Sequence, residues 1–340
     1  MIKRLATAAL ILTLAACSAK HEEGTSEIHF SLLSPTKNTG VSDDNEKEIS
    51  RWAVFLYNST DPSEMFISTA GGRSGIDFTV RSGILYKAYA VANYPEYGEF
   101  ALDPEQLPEE SALLGTMLSL ADYSPSSLPM FGETSVNAVP GDMSKTIYLT
   151  RLVSKIAVER IHADLEEERF RSLPFTLKAL YLTNVWCRNS LGEDLPANDS
   201  ADLWYNAMEW HGSGTNQALD NLVSDRTINA LIPQGGYYGT VHSFYTMPNT
   251  VTLEQDSRSP SWSSRCTRLV IEAEIGSRTY YYPVTIPKMS RGSAYIIEEA
   301  TVKKLGSLDP EEDIPGAVDV KFSITTPDDW DEIYNISENS

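Results

Sequence analysis

Few residues in this sequence have both the type and the spacing that chemistry demands. No two of the five histidines, His21, His29, His162, His211 and His242, lie at a metal-ligand spacing from one another. The acidic runs Asp43-Asp44-Asn45-Glu46 and Asp309-Pro310-Glu311-Glu312-Asp313 lack the alternating acids and central glycine of a calcium loop. Both are expected to be solvated turns. Gly71-Gly72-Arg73-Ser74-Gly75 lacks the residue that a nucleophile elbow needs between its serine and second glycine, and it reads as a hairpin turn. No HExxH, CxxC or P-loop occurs. No catalytic residue, cofactor site or metal site is therefore assigned, and an enzyme is not expected. Trp204, Tyr205, Trp210, Tyr237 and Tyr238 could form a platform for sugar rings or could pack a core. Cys187 and Cys266 would pair only if the fold brings their Cα atoms close.

Cys17 stands apart. Lys3 and Arg4 precede an apolar run, Leu5 to Leu14, which is too short for a permanent membrane span and fits a secretory leader. The run ends in Leu14-Ala15-Ala16-Cys17. That tetrapeptide resembles the bacterial lipobox, in which small residues admit the signal peptidase and the thiol accepts diacylglycerol. Residues 1–16 are thus expected to be removed, leaving Cys17 as the lipidated first residue. Each buried methylene contributes about 0.8 kcal/mol, so two or three acyl chains anchor stably. Residues 17–25 read as a flexible tether. Within them Lys20-His21-Glu22-Glu23 resembles the surface-export signal of Bacteroidetes lipoproteins. The expected location is the outer membrane, on its surface.

Charge excludes other partners. Lys and Arg total 27 against 47 Asp and Glu, a net charge of −20. Loss of Lys3 and Arg4 with the leader takes it to −22. Nucleic acid needs a basic surface, so it is not an expected partner, and neither is a polybasic membrane patch.

The elements that position these residues are mostly strands. Ile28, Phe30 and Leu32 alternate with His29 and Ser31, the pattern of a half-buried strand. Trp52 to Tyr57 is apolar on both faces, as in a central strand, and Leu85 to Ala92 is similar. Pro108 to Leu120 carries Pro first, acids in the first turn and apolar residues at helical spacing, and predicts a helix. A second short helix is expected at Ala163 to Arg171. Ile147 and Leu149 are apolar at odd positions, but Leu152, Ile156 and Val158 at even ones. A strand shows one face to one core, so the switch near Arg151 predicts a hand-off between two cores. Domains are expected at residues 26–150 and 151–340. Val318, Val320, Phe322 and Ile324 alternate with Asp319, Lys321 and Ser323. The expected fold class is mainly β, with two β-sandwich domains and one or two short helices.

The order of these pieces resembles the fimbrillin family, the type V pilins of Bacteroidales. The resemblance lies in Gly40-Val41-Ser42-Asp43-Asp44 leading to Trp52-Ala53-Val54-Phe55-Leu56-Tyr57-Asn58, then Val91-Ala92-Asn93 and Leu128-Pro129-Met130-Phe131-Gly132. It continues through Ile147-Tyr148-Leu149-Thr150-Arg151-Leu152-Val153-Ser154-Lys155-Ile156, Thr279-Tyr280-Tyr281-Tyr282-Pro283-Val284 and the late Trp330. The resemblance implies transthyretin-like sandwiches and a fimbrial subunit or filament anchor serving cell adhesion. It implies other fimbrial subunits as partners, with the host or bacterial surface ligand unidentified. It also implies donor-strand exchange: the strand bearing Ile28, Phe30 and Leu32 is displaced after proteolysis. A neighbour's C-terminal segment, here Val318, Val320, Phe322 and Ile324 with Trp330 and the tail, takes its place. One departure concerns the cut. Where relatives have Arg in the loop after the first strand, this loop offers Lys37 and no Arg before Arg51. Either Lys37 is cut, or the strand stays and the chain is an anchor. A surface lipoprotein that binds glycans through exposed aromatics is the alternative function.

Overall fold

The computed structural model describes residues 24–33, 46, 48–72, 74–95, 107–197, 199–200, 203–205, 219–256, 262–325 and 334–336. The chain is mainly β, and no helix among the described residues is long and apolar enough to cross a membrane.

The first half makes a sandwich. One sheet has three strands in the order β4 (Ile76–Arg81), β1 (Thr25–Leu33), β8 (Gly141–Tyr148). The facing sheet runs β3 (Met65–Gly71), β2 (Arg51–Asn58), β5 (Leu85–Ala92), β7 (Met130–Asn137), β9 (Thr150–Arg151). Between them lie Ile28 and Phe30, Trp52, Val54 and Leu56, Ile76, Phe78 and Val80, Tyr86, Ile147 and Leu149. Gly132 in β7 allows the layers to meet, since a Cβ there would collide with the Tyr148 carbonyl.

The second face of the larger sheet is also covered, which explains a strand apolar on both sides. Ala53, Phe55 and Tyr57 of β2 join Leu113, Leu118, Leu120 and Leu128 in a second core. Helix α1 (Glu110–Leu114) is held there as Glu110 accepts from Lys87 Nζ at 2.8 Å and from the Tyr89 hydroxyl at 2.5 Å. The helix expected over Pro108 to Leu120 is shorter than its periodicity implied. It stops at Gly115, and Met117–Ser119 forms β6. That strand pairs with β14 (Arg188–Ser190) from the second half, so a tertiary ladder overrides local propensity.

The second half carries the larger core. β10 (Ser154–Val158), β11 (Ile161–Ala163), β18 (Gly236–Tyr238), β19 (His242–Thr246), β22 (Ala294–Val302), β23 (Val318–Thr325) and β24 (Tyr334–Ile336) form a seven-stranded sheet. A five-stranded sheet joins β12 (Phe175–Thr183), β16 (Ser224–Asp225), β17 (Ala230–Ile232), β20 (Thr267–Ile275) and β21 (Arg278–Ile286). β13 (Val185–Trp186) pairs with β15 (Trp204–Tyr205). The second helix, α2, is only Glu168–Arg171, because Ala163, expected within it, pairs with Val302 and Gly236 as part of β11. A third, α3 (Asp220–Val223), had no sequence signal. Ile147 and Leu149 lie in the first core, whereas Leu152, Val153, Ile156 and Val158 lie in the second.

Candidate functional site

β1 is the middle strand of its sheet. It pairs antiparallel with β4, from Thr25 opposite Arg81 to Phe30 opposite Ile76. It pairs parallel with β8, from Ser26 opposite Gly141 to Leu33 opposite Tyr148. Ile28 and Phe30 are fully buried, and Leu32 is half-buried against the same core. Phe30 meets Phe78 edge-on at 5.8 Å between centroids. The polar face looks outward. His29 Nδ1 lies 2.7 Å from Asp77, and Gly75 leaves room for the imidazole ring. Neighbouring strands sit about 4.7–4.9 Å apart. Loss of β1 would leave β4 and β8 facing each other across a gap one strand wide, with backbone donors and acceptors bare on both sides.

β23 has the matching alternation and lies elsewhere. It pairs antiparallel with β22 along its whole length, from Ala294 opposite Thr325 to Val302 opposite Val318. Val318, Val320, Phe322 and Ile324 are half-buried against the second core, and Phe322 stacks on Tyr295 with centroids 6.3 Å apart. Asp319 pairs with Lys303 and Lys321 with Glu299. On the other side its backbone pairs with β24, Phe322 opposite Ile336 and Ile324 opposite Tyr334. Cys17, Lys37 and Trp330, together with Trp210, lie outside the described residues.

Two expectations about polar residues are corrected. The run Asp309 to Asp313 is not simply a solvated turn. Glu311 reaches the buried Arg268 guanidinium at 2.7 Å, and Glu312 accepts from Ser307 Oγ at 2.6 Å. Asp256 holds the other side of Arg268 at 3.1 Å. An internal cation needs such partners, so these acids pin the β22–β23 connection to β20. Glu46, at the end of the other acidic run, is also buried and bonded.

Among the described residues, the aromatics expected as a platform do not share an exposed face. Trp204 and Tyr205 are buried in the second core. Trp204 packs on Trp186 at 5.0 Å and on Trp262 at 5.6 Å between centroids. These side chains complete the core that β13 and β15 close, which is why they are unavailable to a sugar. Tyr237 is 65% exposed, but the Arg160 guanidinium already covers its ring at 4.9 Å. Tyr238 stacks on His242, and its hydroxyl meets His242 Nε2 at 2.9 Å. Asp225 lies 3.2 Å from His242 Nδ1. Burial pushes the His242 pKa down, with Asp225 opposing.

Cys187 and Cys266 are both free thiols. Each donates to a different carbonyl, Val185 and Val251. Burial pushes both up to about 12, which leaves them protonated and unreactive.

No protein-family model matches the sequence, and no curated protein matches it. Solved structures do match the fold. A candidate cell adhesion protein of Bacteroides eggerthii superposes with a TM-score of 0.61 at 18% identity, covering 90% of this chain and 96% of that one. A fimbrilin of Porphyromonas gingivalis gives 0.60 at 14% identity, covering 88% and 97%. The tip fimbrial protein Mfa3 of the same organism, with a C-terminal truncation, gives 0.53 at 12%, covering 89% and 99%. At these identities the likeness is one of fold, over nearly the whole length of each chain.

Proposed function

We propose that this chain is a fimbrial subunit, or the anchor of a filament, that assembles by strand replacement at the cell surface and serves adhesion. The observation that carries the reading is the placement of β1. It is bonded on both sides, its apolar residues fill the first core, and both its partners would be left with open edges if it went. A middle strand contributed by the first described residues is the piece whose exchange costs the rest of the sandwich least in topology. The sequence supplies a candidate cut at Lys37, between β1 and β2. It also supplies a replacement of matching period in Val318, Val320, Phe322 and Ile324.

Replacement is a competition. Burial of Ile28 and Phe30 contributes about 1.5–3 kcal/mol each, so a cut alone does not expel β1 quickly. The incoming segment must offer comparable apolar area and main-chain bonds, as in other β-augmentation. It must also give up what β23 makes with β22 at home. The division into domains 26–150 and 151–340 gives these roles separate supports: an acceptor in the first, a donor in the second.

The lipid at Cys17 completes the scheme. It would carry the precursor to the outer membrane, with residues 17–25 as leash. An uncut subunit would hold the filament there. N-terminal analysis of the surface protein tests this directly. A diacylated chain beginning at Cys17 is expected for a precursor or anchor, and a chain beginning just after Lys37 for an exchanged subunit. A protein retained inside the cell with its leader intact would contradict the reading. Lys37→Ala should abolish the shorter form wherever it occurs.

A further inference from the structure

Glu46 follows the candidate cut and precedes β2, and three side chains hold it. Its Oε1 lies 2.5 Å from Lys155 Nζ and 2.5 Å from the Tyr245 hydroxyl. Its backbone carbonyl accepts from the Arg151 guanidinium at 2.9 and 3.3 Å. Glu46, Arg151, Lys155 and Tyr245 are all buried. Arg151 in β9 and Lys155 in β10 flank the point where the chain leaves the first core for the second. Tyr245 is in β19, beside β10 and opposite Lys155 in the ladder. Just downstream, the Asn93 side chain fixes the same segment. Its Nδ2 donates to the Glu48 carbonyl at 2.8 Å, and its Oδ1 accepts from the Ser50 backbone at 2.9 Å.

These contacts define a boundary. A buried ammonium is stabilised by a fixed anionic partner, so Glu46 cannot swing out without taking that carboxylate away from Lys155. We infer that Glu46 is a latch that fastens the start of β2 to the second sandwich and fixes where the retained chain begins. Residues before it, β1 included, are not held by this latch. Residues from Glu46 onward stay docked to β9, β10 and β19. A cut at Lys37 would leave the latch closed and the two sandwiches joined, whereas a cut at Arg51 would remove it. That consequence for maturation rests on the proposed strand replacement; the latch rests on the contacts alone.

Limited trypsin digestion of the unassembled full chain tests it, with N-terminal sequencing of the fragments. The rate to follow is cleavage after Lys47, between the two pinned residues Glu46 and Glu48. Glu46→Ala and the nearly isosteric Glu46→Gln should each raise it about ten-fold or more, by making local opening easier. Cleavage at Lys303 and Lys304, far along the chain in the β22–β23 connection, should not change, which separates a local latch from general unfolding. Lys155→Met should raise the Lys47 rate as well, and adding it to Glu46→Gln should add little, because both remove one interaction. An unchanged Lys47 rate in both Glu46 variants would overturn the latch, and so would fully additive effects of Glu46→Gln and Lys155→Met. The assay involves no assembly. A working latch in a chain that never exchanges a strand would count against the proposed function and leave this inference standing.

Discussion

At the scale of single residues, the buried polar groups carry the sharpest expectations. Removing Glu46 leaves Lys155 buried without its anion, and breaking such a pair costs about 3–5 kcal/mol. Glu46→Ala should therefore lower the urea midpoint markedly, and the double replacement Glu46→Ala with Lys155→Met should recover part of the loss. His242 gives a pH signature. Its pKa is held below the ordinary 6.5 by burial, so as pH falls the unfolded chain takes up the proton first. Stability from this site is intact above the unfolded value and is lost as pH drops through it toward the lower folded value. His242→Gln should flatten the fall in melting temperature between about pH 7.5 and about pH 5.5, a window in which few other side chains titrate. Cys17→Ala should leave an unlipidated precursor that no longer partitions with membranes, read by mass and detergent phase separation.

At the scale of elements, β1 and β23 show what alternation does and does not reveal. Ile28, Phe30 and Leu32, like Val318 to Ile324, are legible as strands because one face meets a core and the other water. The same pattern says nothing about which strand lies beside them. β1 pairs parallel to β8, more than a hundred residues away, and only the fold decides that. The parity switch around Arg151 was legible for a physical reason, since Leu149 and Leu152 serve different cores. The helix expected through Leu120 ends early because Met117–Ser119 pairs with β14, a long-range pairing that local spacing cannot encode. Trp204 and Tyr205 were open to two readings because aromatic type alone does not distinguish a core from a platform. Glu46 and Glu311 read as solvated in the sequence because their cationic partners are remote along the chain. Phe30→Ala should cost the unassembled precursor about 3–5 kcal/mol, as for other buried aromatics. The same change should leave the stability of an exchanged subunit unaltered, because β1 is then gone.

At the scale of the whole molecule, charge and assembly meet. Two copies of a chain that begins after Lys37 carry −21 each and repel one another on approach. Screening shortens the reach of that repulsion from about 30 Å at 0.01 M salt to about 8 Å at 0.15 M. Association of cut subunits should accordingly speed up with ionic strength over that range, opposite to a pair steered by complementary charge. If strand replacement operates as proposed, the C-terminal segment of one copy occupies the place of β1 in another. A photo-cross-linking side chain at the exposed Lys321 of β23 reports it directly, with peptide mapping of the products from surface filaments. In the unassembled chain it should capture β22, its own neighbour. In filaments the expected products run between copies and map to Ile76–Arg81 or Gly141–Tyr148, the two strands that flank β1. Filaments whose cross-links remain within one chain, β23 to β22, would contradict it.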